Sequence, residues 1–291
     1  MSVQRRPQWL KVRLAGGKVF REVRDLINTE QLHTVCQSAR CPNIGDCWSR
    51  RMATFMILGD TCTRNCRFCA VEKGRPGKPD CEEPAKVAEA VKKLNLRHAV
   101  ITSVTRDDLE DGGGQIFADT IRQIRKRSPN CSIEVLIPDF NGNADALDKV
   151  FRAKPDILNH NLEVVPRLYP KARALAEFNR SLNILLKAKQ RGLISKTGIM
   201  IGLGESGEEV IDLIQRLVNI RLDILTIGQY LQPTAKHLPV EKFYPPQEFA
   251  DFKRLGESLG IKHVESGPLV RSSYHADAQV KKLTSTRLSA N

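Results

Sequence analysis

Short β-rich runs recur six times through the middle of this chain, at residues 53–58, 98–104, 132–138, 156–163, 196–202 and 223–230. Between several of them lie segments whose apolar residues are spaced by three and four. These are Val87, Val91 and Leu94; Phe117, Ile121 and Ile124; Val210, Ile214 and Leu217; and Phe249, Phe252, Leu255 and Leu259. Such spacing puts the apolar residues on one face of a helix. Strands that alternate with helices predict a parallel α/β sheet, because parallel neighbours need a crossover between them. Periodicity alone does not separate a barrel-like sheet from an open one. In either architecture, chemistry collects at the C-terminal ends of the strands.

The first fifty residues stand outside this alternation. They read as a polar, basic arm, one helix near 18–28, and then a cysteine-bearing loop. The last twenty residues, ending Thr-Ser-Thr-Arg-Leu-Ser-Ala-Asn, read as loose. Both are expected to wrap on a central barrel. Hydrophobic residues at 41% and charged residues at 27% exclude wholesale disorder. Apolar runs such as Ala53–Leu58 are far too short to span a bilayer. The start, Met-Ser-Val-Gln-Arg-Arg-Pro, has no apolar signal core, so a cytoplasmic protein is expected. The net charge of +13 is uneven. Residues 1–80 supply +8 and residues 271–291 supply +3, leaving +2 for the long middle. Basic ends imply that those ends meet something anionic: nucleic acid, an acidic protein or a charged cofactor.

Six of the eight cysteines form two triplets within a 34-residue window. Cys36, Cys41 and Cys47 are spaced C-x4-C-x5-C, and Cys62, Cys66 and Cys69 are spaced C-x3-C-x2-C. Intracellular cysteines are more often metal ligands or catalytic groups than disulfides. Structural zinc prefers four protein ligands, usually in close C-x2-C pairs, and neither triplet pairs off that way. A 4Fe-4S cluster needs one external ligand for each iron. Three cysteines leave one iron open, or held by something else, which suits a reactive centre. Cys131 opens a β-run and reads as a small buried hydrophobe. Cys81 sits in a Pro-bounded loop and reads as exposed. His98 and His160 fall on β-runs and read as buried structural histidines or polar lining.

The second triplet follows the first β-run directly, as Gly59-Asp-Thr-Cys62-Thr-Arg-Asn-Cys66-Arg-Phe-Cys69. C-x3-C-x-aromatic-C on a first βα loop resembles the radical S-adenosylmethionine superfamily. The resemblance implies that these three thiolates hold a 4Fe-4S cluster whose open iron is chelated by S-adenosylmethionine. An electron then cleaves the sulfonium and releases a 5′-deoxyadenosyl radical. Phe68 is implied to pack near the adenine. Gly112-Gly113-Gly114 resembles the segment that approaches the methionine end, although a glycine run also marks an ordinary turn. Gly198-Ile-Met-Ile-Gly202-Leu-Gly-Glu205 resembles the family's G-x-I-x-G-x-x-E strand beside the adenine, with Met200 in place of Ile. That swap conserves volume. Asn161 is implied to face the cofactor from the fourth strand, with Glu163 beside it.

The first triplet, Thr34-Val-Cys36-Gln-Ser-Ala-Arg-Cys41-Pro-Asn-Ile-Gly-Asp-Cys47-Trp48, resembles the auxiliary-cluster segment of the lipoyl synthase family. Gln37 and Ser38 are mild variations on it. Trp9-Leu-Lys-Val, Val104-Thr-Arg-Asp-Asp-Leu, Asn159-His-Asn-Leu-Glu163, Gly228-Gln-Tyr-Leu-Gln-Pro233 and Arg271-Ser-Ser-Tyr-His275 carry the likeness over nearly the whole chain. The resemblance implies a partial (β/α)6 barrel over residues 52–260. An N-terminal extension, 1–51, would carry the auxiliary motif, and a C-terminal extension, 261–291, the Arg-Ser-Ser-Tyr segment.

It also implies the chemistry. Lipoyl synthases insert two sulfurs, at C6 and C8, into an octanoyl chain held as an amide on a lipoyl-carrier domain. These C–H bonds are unactivated, so hydrogen-atom abstraction is needed, with two S-adenosylmethionine molecules per lipoyl group. The auxiliary 4Fe-4S cluster is the sulfur donor. Its fourth ligand maps to Ser273, with Arg271 and Tyr274 beside it. A serine oxygen is a poor match for a soft iron site, which implies easy displacement as the cluster breaks apart. Read alone, Ser273 would be an ordinary loop serine. The implied partners are an octanoylated carrier (a dehydrogenase-complex acyltransferase or the glycine cleavage H protein), an electron donor such as flavodoxin or ferredoxin, and an iron–sulfur carrier. Neither nucleic acid nor membrane is expected.

Two rival readings remain on residue grounds. A related sulfur-inserting enzyme acting on tRNA would fit the positive charge, but aromatic content of 5% gives little for base stacking and no RNA-binding domain is recognisable. A zinc-stabilised nucleic-acid binder would be colourless and strongly salt-dependent.

Overall fold

The computed structural model describes residues 7–12 and 16–279. The chain opens with helix α1 (Lys18–Thr29), the short strand β1 (His33–Thr34) and helices α2 (Val35–Ser38) and α3 (Ile44–Ser49). Strand β2 (Thr54–Ile57) follows, then a two-stranded ribbon of β3 (Thr61–Cys62) and β4 (Glu72–Lys73). Next come α4 (Glu83–Lys93), β5 (His98–Ser103), α5 (Gly114–Arg127), β6 (Ser132–Leu136), α6 (Ala144–Arg152) and β7 (Ile157–Asn159). The chain continues through α7 (Tyr169–Ala172), α8 (Phe178–Gln190), β8 (Ile194–Ile201), α9 (Gly207–Asn219), β9 (Ile224–Gln229), α10 (Pro246–Ser258) and β10 (His263–Gly267).

Eight strands form one sheet in the order β1-β2-β5-β6-β7-β8-β9-β10. Only the β1–β2 pair is antiparallel; the other seven strands run parallel. This is the parallel α/β architecture expected, and the sheet does not close. All six predicted β-runs contain a strand. A seventh parallel strand, β10, adds to them from residues assigned above to the C-terminal extension. The cysteine-bearing segment expected as loop contains the two short helices α2 and α3. The loose tail expected over the last twenty residues lies outside the described residues from 280 onward.

The strands are apolar because both faces are covered. Phe55, Ile57, Ala99, Ile101, Ile133 and Val135 are fully buried against helices. Helix α9 shows how a crossover is made. Ser206 caps it and Glu209 reaches back in a capping box. Val210, Leu213, Ile214 and Leu217 are all fully buried, each stabilising by about 1.5–3 kcal/mol. On the inner face, Ile157, Ile194 and Ile224 form a separate apolar floor. Two residues on, that face turns polar with Asn159, Lys196 and Thr226. Among the described residues, no helix is long and apolar enough to cross a membrane.

Candidate functional site

The first triplet is held by the N-terminal helices. Thr34 caps α2, its hydroxyl accepting from the backbone N–H of Gln37. That fixes Cys36 on α2. The Cys41 amide donates to the Cys36 carbonyl, and α3 then carries Cys47, whose amide donates to Asn43. Trp48 anchors α3, buried against Phe20 with ring centroids 5.3 Å apart.

The opposite wall comes from the other end of the chain. After β10 the backbone turns back, and Asn43 Nδ2 donates to the Leu269 carbonyl at 2.6 Å. One cavity is then lined by Cys36, Cys41, Cys47, Arg271, Ser273 and Tyr274. Thr54 of β2 and His98 of β5 reach into it from the sheet. Arg271 also lies against Gly228 of β9. The two ends of the open sheet therefore face each other across this cavity.

Burial pushes the Cys36 thiol up to about 11, against a weaker pull from hydrogen bonding to Thr54. Burial also pushes Cys47 up to about 12, helped by the neighbouring Cys36 and Cys41. Cys41 is raised by burial too. Such thiols hold their protons at neutral pH unless a Lewis acid replaces them. Among the described residues Arg271 has no carboxylate partner; its guanidinium donates to the Val270 carbonyl at 2.6 Å and lies near Cys41. Three thiols, the Ser273 hydroxyl and a cation around this cavity fit an anionic iron–sulfur cluster. Among the described residues, no three His, Cys, Asp or Glu side chains converge as a single metal ion would require. A cluster needs no such convergence, because each thiolate binds a different iron.

The second triplet occupies the loop after β2, at the C-terminal end of the sheet. Cys62 Sγ accepts from the backbone N–H groups of Arg64 and Thr105, each at 3.4 Å. Arg64 clamps the loop from beneath. It binds Asp107 through two hydrogen bonds of 2.7 and 2.8 Å, and Asp139 at 2.7 Å. Burial alone would raise the Asp139 carboxyl, but the Arg64 hydrogen bond and charge hold it below the ordinary range. Loops after β2, β5 and β6 are thus tied by one guanidinium. From the far side, His237 Nε2 sits 2.9 Å from the Cys69 carbonyl. Burial pushes Cys69 up to about 12 and raises Cys66, which Arg173 partly offsets. This donor set also fits a cluster: three half-buried thiols, with backbone N–H groups already aimed at a sulfur. Phe68 is half-buried and packs on the apolar core around β8 and β9.

The remaining predicted contacts have demanding roles within the protein itself. Gly113 has φ +91°, and a Cβ there would lie 2.2 Å from Leu58 Cδ1. Gly202 has φ +106°, and a Cβ there would lie 2.5 Å from the Lys242 carbonyl. Glu205 turns inward, accepting from the Gly202 amide at 2.5 Å and the Leu203 amide at 3.0 Å. These residues shape the loops above the strands. Asn161 Nδ2 donates to Glu163 at 3.1 Å and to Ser272 Oγ at 2.8 Å. Glu163 is half-buried, and loss of solvent around its carboxyl raises it.

Next to His98, which lines the first triplet's cavity, lies a buried ion pair that no sequence motif announces. Lys196 Nζ donates to Glu134 at 2.9 Å, and both are fully buried. Asn159 donates to the same carboxylate at 3.0 Å, and His98 Nε2 lies 3.5 Å away. Burial would raise Glu134, but Lys196 and His98 hold it at about 2. A charged residue inside an otherwise apolar β-run was the available signal. His98 and His160 are buried, Cys131 is buried and Cys81 is exposed, all as expected.

The radical S-adenosylmethionine superfamily model matches residues 56–217. The lipoyl synthase of Rubrobacter xylanophilus is 56% identical over 278 residues, covering 95% of this chain and 87% of that protein. That of Caldanaerobacter subterraneus is 54% identical, covering 94% and 96%. That of Chloroflexus aggregans is 53% identical, covering 95% and 91%. Among solved structures, methylornithine synthase superposes with a TM-score of 0.55 at 17% identity, over 86% of this chain and 76% of that one. A maturase of the FeFe-hydrogenase gives 0.56 at 13% identity, over 77% and 58%. At such identities the likeness is one of fold.

Proposed function

Since the chain belongs to the lipoyl synthase family, within the radical S-adenosylmethionine superfamily, we propose that it uses two 4Fe-4S clusters to place sulfur on C6 and C8 of a protein-bound octanoyl group. Cys62, Cys66 and Cys69 hold the cluster that binds S-adenosylmethionine. Cys36, Cys41, Cys47 and Ser273 hold the auxiliary one. The observation that carries this reading is the single cavity walled by the first triplet on one side and Arg271, Ser273 and Tyr274 on the other.

When bound, S-adenosylmethionine and its cluster supply the radical that takes hydrogen atoms from unactivated carbon, and the auxiliary cluster supplies sulfur. The chain's own residues prepare the space. Arg64, held by Asp107 and Asp139, fixes the loop that presents the second triplet. The Cys62 thiolate is met by two backbone N–H donors. Arg271 places positive charge against the first triplet. The apolar floor of Ile157, Ile194 and Ile224 excludes water from below. Above it, the Glu134–Lys196 pair puts fixed charge on the inner face, beside His98 of the first triplet's cavity. Buried pairs of this kind seldom stabilise a fold better than apolar residues would, so its place belongs to the chamber. Phe68, Gly113, Asn161, Gly202 and Glu205 frame the S-adenosylmethionine side.

The partner that delivers the octanoyl group is an acidic lipoyl-carrier domain, of a dehydrogenase-complex acyltransferase or the glycine cleavage H protein. A flavodoxin or ferredoxin supplies electrons, and an iron–sulfur carrier rebuilds the auxiliary cluster. The cytoplasm is the proposed compartment, since thiols that are to ligate iron–sulfur clusters must stay reduced until they bind.

The test is anaerobic turnover of an octanoylated peptide with S-adenosylmethionine and a reductant. Mass spectrometry is expected to show loss of two hydrogens and gain of two sulfurs in the disulfide form. Replacing Cys62, Cys66 and Cys69 together by Ala should abolish 5′-deoxyadenosine formation and leave part of the iron bound. Cofactor cleavage with no mass shift would refute the substrate class, and normal cleavage by the triple variant would refute the cluster assignment.

A further inference from the structure

Neighbouring strands carry glycine at matched positions. Gly228 on β9 pairs with Gly267 on β10, and Gly198 on β8 pairs with Thr226, two residues before Gly228. Gly198 shares a strand face with Lys196, so the row looks into the chamber. None of the three has a positive φ. The backbone therefore has no need of glycine there. The reason is close approach by another segment. A Cβ on Gly228 would lie 2.2 Å from the Val270 carbonyl oxygen and 3.1 Å from its carbon. On Gly198 it would lie 2.6 Å from Thr226 Oγ1, 3.0 Å from Asn161 Oδ1 and 3.2 Å from Ser272 Oγ. On Gly267 it would meet Val270 Cγ2 at 3.3 Å.

The glycines thus leave a bare trough in the inner face, and the segment after β10 lies in it. Two amide side chains pin that segment. Asn43, between Cys41 and Cys47, holds the Leu269 carbonyl at 2.6 Å. Asn161, just beyond β7, holds Ser272 Oγ at 2.8 Å. Between the pins, Val270 rests on Gly228 and Arg271 turns to Cys41. The next residue after the second pin is Ser273, in the cavity of the first triplet.

We infer that Gly228, assisted by Gly198 and Gly267, is a positioning residue for the auxiliary centre: the missing side chains seat the arm that brings Ser273 to the three cysteines. The inference rests on Ser273 as fourth ligand and adds what places it. The contact at Gly228 is with a backbone carbonyl, which cannot swing aside as a side-chain end would. An alanine there must lift the arm. At Gly267 the contact is with a side-chain methyl, so the demand is milder and can be relieved from the other partner.

Hydrogen exchange and cluster spectroscopy on the reconstituted full chain test this. In Gly228→Ala, the amides of Val270 and Tyr274 are expected to lose protection by about tenfold or more, while those of β8 and β9 keep theirs. Iron and sulfide should fall to roughly half, with the lost Mössbauer signal being the one insensitive to S-adenosylmethionine. Gly267→Ala should show a weaker form of both effects, and adding Val270→Ala should restore them. That pair carries the test by itself if Gly228→Ala fails to fold. Unchanged exchange at the arm in Gly228→Ala would overturn the inference. So would a released arm with a full auxiliary cluster, or no rescue of Gly267→Ala by Val270→Ala. If Ser273→Ala keeps the auxiliary cluster and Gly228→Ala loses it, the seat stands and the ligand reading falls.

Discussion

Just beyond the end of β7, His160 keeps its ring neutral by burial. Its Nδ1 lies 2.8 Å from the Ile137 carbonyl, and the residue is 1% exposed. Burial, reinforced by Arg173, pushes its pKa down to about 4 from 6.5. The unfolded chain therefore takes up a proton that the folded chain refuses, and stability falls as pH drops from about 6.5 toward 4. Between about pH 7.5 and 5, the wild-type unfolding free energy is expected to fall by about 2 kcal/mol more than that of His160→Asn. Urea titrations of both proteins at the two pH values check this, and parallel curves would contradict it. At this scale the six cysteines stood out because residues close in sequence announce themselves by spacing, and the structure gathers the first three around one cavity. Arg64, Glu134 and Lys196 did not, because their partners stand 43, 25 and 62 residues away in the chain. Ser273 was legible only through the family resemblance. Nothing local distinguishes it from an ordinary loop serine.

Strand β10 marks the limit of pattern at the scale of elements. Its sequence, His-Val-Glu-Ser-Gly, offers one strongly apolar residue, Val264, which is fully buried against the helices. The opposite face is polar because it looks into the chamber, where His263 lies 3.3 Å from Glu265. A strand lining a polar chamber lacks the continuous apolar run by which the other parallel strands are recognised. Helices α2 and α3 escaped for a different reason. With four and six residues they are too short to show a period. Helices α6 and α8 carry the same spacing as the named ones, through Leu147, Val150 and Phe151 and through Leu185 and Ala188. They are open to the same argument from periodicity. A chain ended at Gly260 would leave β9, with Ile224, Leu225 and Ile227, as an unpaired apolar edge. It is expected to aggregate, so size-exclusion chromatography should show no monomer peak where the full chain gives one. A well-behaved truncated chain would mean that β10 contributes little to the sheet.

For the whole molecule, the uneven charge bears on how a partner would dock. The basic N-terminal segment contains both triplets, and the final segment contributes the wall with Arg271. We propose that this basic surplus serves the docking of an acidic carrier that delivers the octanoyl arm. Long-range attraction of this kind raises association rates and is screened by salt. Raising ionic strength from about 0.05 to 0.5 M should lower kcat/KM on an intact carrier domain by roughly tenfold or more. The same change should leave turnover of a short octanoylated peptide almost untouched. Equal salt response for the two substrates would count against electrostatic docking. The wall formed by Arg271, Ser273 and Tyr274 has one more consequence, which concerns the order in which the molecule is made. A ribosome delivers Cys36, Cys41 and Cys47 long before Ser273, with strands β2 to β10 made in between. Until the Arg271–Tyr274 segment emerges, the first triplet waits as an open half-shell, without the residues that enclose it. Domains tend to fold as units while the chain emerges, so this cavity closes only once the whole sheet has been made.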